Sequence, residues 1–95
     1  MIKVIAKNFA KETELEKVLA LSKELVEATV KEEGCINYEM YQDQKDPTIL
    51  IMIEEWETVE ALNNHSASEH FKRIVPQMHE YMTQKPEINA CKKLF

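Results

Sequence analysis

The sequence predicts an α+β fold, a four-stranded antiparallel sheet with both helices on one face, and three observations carry that prediction. "MIKVIAKNF" and "TILIMIEEW" are short runs rich in Val, Ile, Phe and Trp, side chains that fit a pleated, half-buried surface. Leu15, Val18, Leu19, Ser22, Leu25, Val26, Thr29 and Val30 recur at three- and four-residue spacing, which gathers them on one side of a helix. Between "CINYEMYQ" and "TILIMIEEW" stand Asp43, Asp46 and Pro47, the turn chemistry of an antiparallel hairpin. The resulting order, βαββαβ, is the split βαβ arrangement of the ferredoxin-like fold.

The first strand spans residues 2 to 9 and ends at the charged "AKET". Thr13 and Glu16 have the S/T-x-x-E spacing of a capping box, so a helix is expected over about residues 13 to 32. Gly34, the only glycine, stands where the chain must leave that helix through a positive φ. The hairpin strands are expected near 35 to 42 and 48 to 56. Thr58 can cap a short helix over "VEALNNH", and Ser68 a longer one in which Phe71, Ile74, Val75, Met78 and Met82 share a face. Pro76 falls inside that helix, tolerated or kinking it. "INACKKLF" then reads as the final strand.

A chain of 95 residues is expected to form one domain, residues 1–95, with a small core. A net charge of -5 argues against nucleic acid, whose phosphates call for a basic stripe. No apolar run approaches the ~20 residues of a membrane span, and the chain opens on a strand pattern rather than a secretory signal. A cytoplasmic protein with no membrane partner is therefore expected. Cys35 and Cys91 lack CxxC spacing and fall on opposite edge strands of the predicted sheet, roughly 14 Å apart. A disulfide needs Cα atoms within about 7 Å, so the two are expected to be free thiols. "ILIMI", residues 49 to 53, is apolar at every position and so wants both faces covered. The helices cover one; a second copy of the chain, in a two-fold homodimer, is expected on the other.

His65 and His70 are at i, i+5, which misses the i, i+4 spacing that aligns two imidazoles on one helix face. No HExxH or Cys/His set accompanies them, so no metal site is expected. With a single glycine, neither a strained serine elbow nor a phosphate-cradling loop is indicated. What remains is a cleft between sheet and helices. Trp56 ends the strand on whose face Met52 and Glu54 also lie, and the hinge from His65 to Phe71 follows just downstream. Each of these has an ordinary alternative, the aromatic as core and the histidine as partner of a helix-end carbonyl. His79, in the polar stretch "QMHEY", reads as a surface residue.

The run "EEGCINYEMYQDQKDPTILIMIEEWETVEALNNHSASEHFKRIVP", ending at Pro76, resembles the antibiotic biosynthesis monooxygenase family. The family pattern is roughly E-x-G-C-x-x-Y, a D-x-x-x-P turn, E-x-W, E-A-L-x-x-H and S-x-H-F. Gly34, Cys35, Tyr38, Asp43, Pro47, Glu55 or Glu54, Trp56, Ala61, Leu62, His65, Ser68, His70 and Phe71 fall where that pattern wants them. The resemblance implies a dimeric α+β barrel of ferredoxin-like subunits. It also implies that a small quinol or hydroxy-aromatic is oxygenated by dioxygen with no flavin, haem or metal cofactor. The deprotonated substrate itself would reduce dioxygen, leaving the protein to bind it, take a proton and exclude water.

Residue by residue, the resemblance implies that Trp56 forms the aromatic wall of the cleft and that His65 is the proton acceptor or anion stabiliser. His70 and Phe71 would close the helical side. Tyr38, rather than Asn37, would point inward, with Met52 and Glu54 on the same cleft. Met52 stands where some anthrone-oxidising relatives place a polar residue, which argues against a polyketide substrate. Haem-degrading relatives use a first-strand Asn, for which Asn8 is available, but His65 and Val75 stand where those proteins place a Trp and a haem-ligating His. A small-metabolite isomerase or binding protein on the same fold is the alternative reading.

Overall fold

The computed structural model describes residues 1–95. β1 (Ile2–Phe9), α1 (Leu15–Thr29), β2 (Cys35–Gln42), β3 (Ile49–Trp56), α2 (Val59–Ser66), α3 (Glu69–Glu80) and β4 (Glu87–Cys91) follow one another, with a short 3-10 turn at Glu12–Glu14. The strands pair antiparallel in the order β2-β3-β1-β4, the ferredoxin-like arrangement. β2 and β4 are the two edges, and Cys35 and Cys91 are free thiols.

Strand alternation decides which side chains meet the helices. Along β3, Leu50, Met52, Glu54 and Trp56 are buried, while Ile49, Ile51 and Ile53 on the other face are half-buried. Across the sheet, Tyr38, Glu54, Val4 and Ala90 form one cross-strand row, and Met40, Met52, Ala6 and Ile88 form the next. Tyr38 is buried on the helical side, and Asn37 turns outward to donate to Glu55 Oε2 at 3.2 Å. On the open face Ile5 is 39% exposed and Tyr41 50%. The chain alone therefore covers only one of the two faces that "ILIMI" presents.

α1 is shorter than its periodicity predicts, and its predicted cap does not form. Thr13 lies inside the 3-10 turn instead of standing extended before the helix, and no side chain caps either the turn or α1. The buried stripe is Val18, Ser22, Leu25 and Thr29; Leu19 and Val30 are exposed. At its C-terminus the helix tightens, with Lys31 N–H donating to Ala28 O and Glu32 N–H to Thr29 O. Gly34 then turns the chain at φ +83°. A Cβ at Gly34 would lie 2.5 Å from Ala61 Cβ, so glycine is required both by the left-handed backbone and by the approach of α2.

The other caps form as the sequence predicts. Thr58 Oγ1 accepts from Ala61 N–H at 3.0 Å, and Ser68 Oγ accepts from Phe71 N–H at 3.3 Å. Pro76 sits on the exposed side of α3 without ending it, and Ile74 and Met78 carry the buried side. In the hairpin, Asp43 Oδ2 accepts from Lys45 and Asp46 N–H. The final strand is shorter than "INACKKLF" suggests and ends at Cys91. Cys91 pairs with Lys3, one residue from the start of β1, so the tail runs out of strand to pair with.

Candidate active site

The stretch "NNHSASEHF" forms the hinge between α2 and α3. Ser68 fixes it, its Oγ donating to His65 O at 2.6 Å while accepting from Phe71 N–H. The hinge turns His65 inward, to 2% exposure, among three aromatic rings. Trp56 lies 4.8 Å away by centroid and tilted by 33°; Tyr38 at 5.1 Å and Phe71 at 5.0 Å meet the imidazole edge-on.

Two hydrogen-bond systems run through this cluster. Glu32 Oε2 lies 2.7 Å from His65 Nδ1 and 2.7 Å from His70 Nε2. Separately, Trp56 Nε1–H donates to Glu54 Oε1 at 3.0 Å. His65 Nε2 is buried and meets no protein hydrogen-bond partner. Burial pushes the His65 imidazolium below its ordinary 6.5, an effect that the bond and charge of Glu32 partly offset. Burial pushes the Glu54 carboxyl above its ordinary range, partly offset by the Trp56 N–H. The environment thus moves the imidazole and the carboxyl in opposite directions, each away from its charged form, as burial does to acid and base groups that line one cleft. Burial also raises the Tyr38 phenol, and it raises the Cys35 thiol to about 11, which removes Cys35 as a thiolate nucleophile.

The open space at this site has two lobes that share Ala6, Glu54, Phe71 and Ile88. One, of about 140 Å³, reaches Asn8, Tyr38, Met52 and Val75. The other, of about 270 Å³, reaches His65 and the end of α2. Together they sit near the lower end of the ~300–1,000 Å³ typical of ligand pockets. Most of the lining is apolar, with Glu54, His65 and Asn8 as its buried polar groups. A larger groove of about 530 Å³, at the α3–β4 connection, has only Met82 as a hydrophobic lining residue and lacks an acid-base pair.

Of the predicted site residues, the structure brings Tyr38, Met52, Glu54, His65 and Phe71 to the cleft. Trp56 differs from its expected place as a wall: it is fully buried one layer behind, supporting the His65 ring and bonding Glu54. His70 also differs. It begins α3 on a different side of the helix from Phe71 and turns to Glu32 instead of closing the pocket. His79 is exposed yet lies at the rim of the smaller lobe. Val75 lines that lobe with an aliphatic side chain that offers a haem iron no ligand.

Glu32 is the residue that sequence reasoning misses. The E-x-G-C spacing contains it, but nothing local links it to histidines 33 and 38 residues further on. Its carboxylate and the two imidazoles bring one oxygen and two nitrogens within 4.8 Å of one another, a donor set of the kind that holds a divalent cation. The spacing from which no metal site was expected therefore does not keep the two imidazoles apart, since they lie on different helices and both meet Glu32 Oε2.

Comparison with known proteins agrees with this architecture. A family model described as antibiotic biosynthesis monooxygenase matches residues 1–77. A crystal structure of an antibiotic biosynthesis monooxygenase is 40% identical, covers 99% of each chain and superposes with a TM-score of 0.96. A conserved protein from Methanosarcina mazei Go1 is 43% identical over 98% of this chain and 92% of its own, also with a TM-score of 0.96. An uncharacterized protein from Synechocystis is 29% identical over 90 residues, which are 94% of this chain and 61% of that longer protein. On the strength of the matched model and these similarities, the chain belongs to the antibiotic biosynthesis monooxygenase family.

Proposed function

We propose that the protein is a cofactor-independent monooxygenase that oxidises a small quinol or hydroxy-aromatic with dioxygen. The observation that carries this reading is His65, an imidazole buried among Trp56, Tyr38 and Phe71 with Nε2 unpartnered. A ring lying against Phe71, Met52 and Ile88 would be gripped by apolar surface. Its hydroxyl would give a proton to His65 Nε2, leaving an electron-rich anion in a site that excludes water. For a simple quinol the balance is quinol plus dioxygen to hydroxyquinone plus water, the substrate losing four electrons and dioxygen gaining them. Glu54, which lines both lobes and whose carboxyl burial shifts upward, would return one as water leaves.

The same pair supports a second reading, an isomerase that moves a proton between two atoms of one metabolite, because an imidazole and a carboxyl on one cleft can take and return that proton. The half-exposed Ile5, Ile51 and Ile53 support a homodimer in which a second copy covers the open sheet face.

Oxygen uptake by chelator-treated protein, with a panel of reduced quinols and corrected for autoxidation, separates the two reactions. Uptake above background that collapses in His65→Ala is the expected result. No uptake with any member of the panel, alongside proton exchange into a polar metabolite, would move the assignment to the isomerase.

A further inference from the structure

We propose that Glu32 is a positioning residue, which fixes His65 in the tautomer that leaves Nε2 as a proton acceptor at the cleft, and that His70 anchors Glu32 in that task. This rests on the reading of His65 as the base. A carboxylate oxygen offers only lone pairs, so a 2.7 Å contact with each imidazole calls for an N–H from each: Nδ1–H of His65 and Nε2–H of His70. A neutral imidazole carries one proton. With that proton on Nδ1, the lone pair of His65 falls on Nε2, the buried nitrogen that has no protein partner.

Three separate segments build the arrangement. Glu32 comes from the tightened turn after α1, His65 from the last turn of α2 and His70 from the first turn of α3. The positive φ of Gly34, with its close approach to Ala61, sets that turn against α2. Glu32 and His70 are 15% and 17% exposed at the side chain, against 2% for His65, so the carboxylate ties a buried ring to one near the surface. When the substrate hydroxyl gives its proton to Nε2, the imidazolium keeps its Nδ1–H on the carboxylate, which stabilises the new charge. The step moves one proton and no electrons.

Nitrogen-15 NMR of the histidine side chains reads the tautomer without any substrate. In wild type near neutral pH, His65 is expected to give the pattern of a protonated Nδ1 and a bare Nε2, unchanged by chelator. In Glu32→Ala it should relax toward the Nε2–H form that free histidine favours, and oxygen uptake should fall at least about tenfold. His70→Ala should weaken the preference without reversing it. A protonated Nε2 in wild type, a pattern that changes when chelator strips a cation from Nδ1, or an unaltered tautomer in Glu32→Ala would each overturn the proposal. If Glu32→Ala does not fold, Glu32→Gln and the wild-type spectrum decide it. The predicted tautomer in a protein that consumes no oxygen would support the role of Glu32 and refute the oxygenase reading alone.

Discussion

Each face of the sheet carries exceptions to the usual allocation of side chains, and the exceptions are of opposite kinds. The covered face holds Glu54, Asn8 and the His65 ring packed onto it, all at most 9% exposed, whereas the open face presents Ile5, Ile51, Ile53 and Tyr41 partly to solvent. Burying ionisable groups costs stability, and leaving isoleucine in water forgoes it. On the proposed reading each exception has a use: the inner polar groups would serve a cleft, and the outer apolar stripe a second copy of the chain. The inner face accordingly shifts the ionisation of its groups, His65 downward and Glu54 upward, mainly through burial.

That contrast can be broken or sharpened in order of effect. His65→Gln should lower oxygen uptake by about 10²- to 10⁴-fold, the usual contribution of a positioned base, while circular dichroism stays native. Trp56→Ala removes the largest fully buried side chain and should cost about 3–5 kcal/mol in denaturant melts. Ile53→Lys on the open face should leave the fold of each chain intact and shift sedimentation from dimer toward monomer; an unchanged sedimentation coefficient would remove the case for the second copy.

The pH response has a sign that can be worked out. His65 binds its proton less readily folded than unfolded, so its contribution to stability is complete above the ordinary 6.5 and is lost as pH falls through its depressed folded value. Thermal melts from pH 8 to pH 5 should thus show a steeper loss in wild type than in His65→Gln. Glu54 acts in the opposite direction, contributing most below its ordinary 4.5 and losing that contribution as pH rises through its raised folded value. The smallest effects compare two helix starts. Thr58→Ala should cost about 1 kcal/mol, since Thr58 caps α2, and Thr13→Ala within about 0.5 kcal/mol, since Thr13 caps nothing.

Local pattern made most of this fold legible. The strand runs "CINYEMYQ" and "ILIMIEEW", the positive φ at Gly34 and the caps at Thr58 and Ser68 are decided by neighbours in sequence, and each appears where expected. The misses were decided at longer range. The S/T-x-x-E spacing at Thr13 was overridden by a 3-10 turn, and the end of β4 was set by where β1 begins. In the site, Phe71 and Glu54 could be placed by helix and strand periodicity. The turn of His70 toward Glu32 could not, because it depends on how the end of α1 packs against the α2–α3 hinge.

The central claim is that the covered face is built around a neutral His65 whose free nitrogen meets the substrate. Its most direct test is the pH profile of oxygen uptake per substrate concentration, kcat/KM, for wild type and His65→Gln with the best quinol of the panel. The account predicts a rate in wild type that rises to a plateau with a midpoint below 6.5, and a mutant that has lost both the plateau and that limb. A mutant that retains the wild-type plateau and midpoint would contradict it.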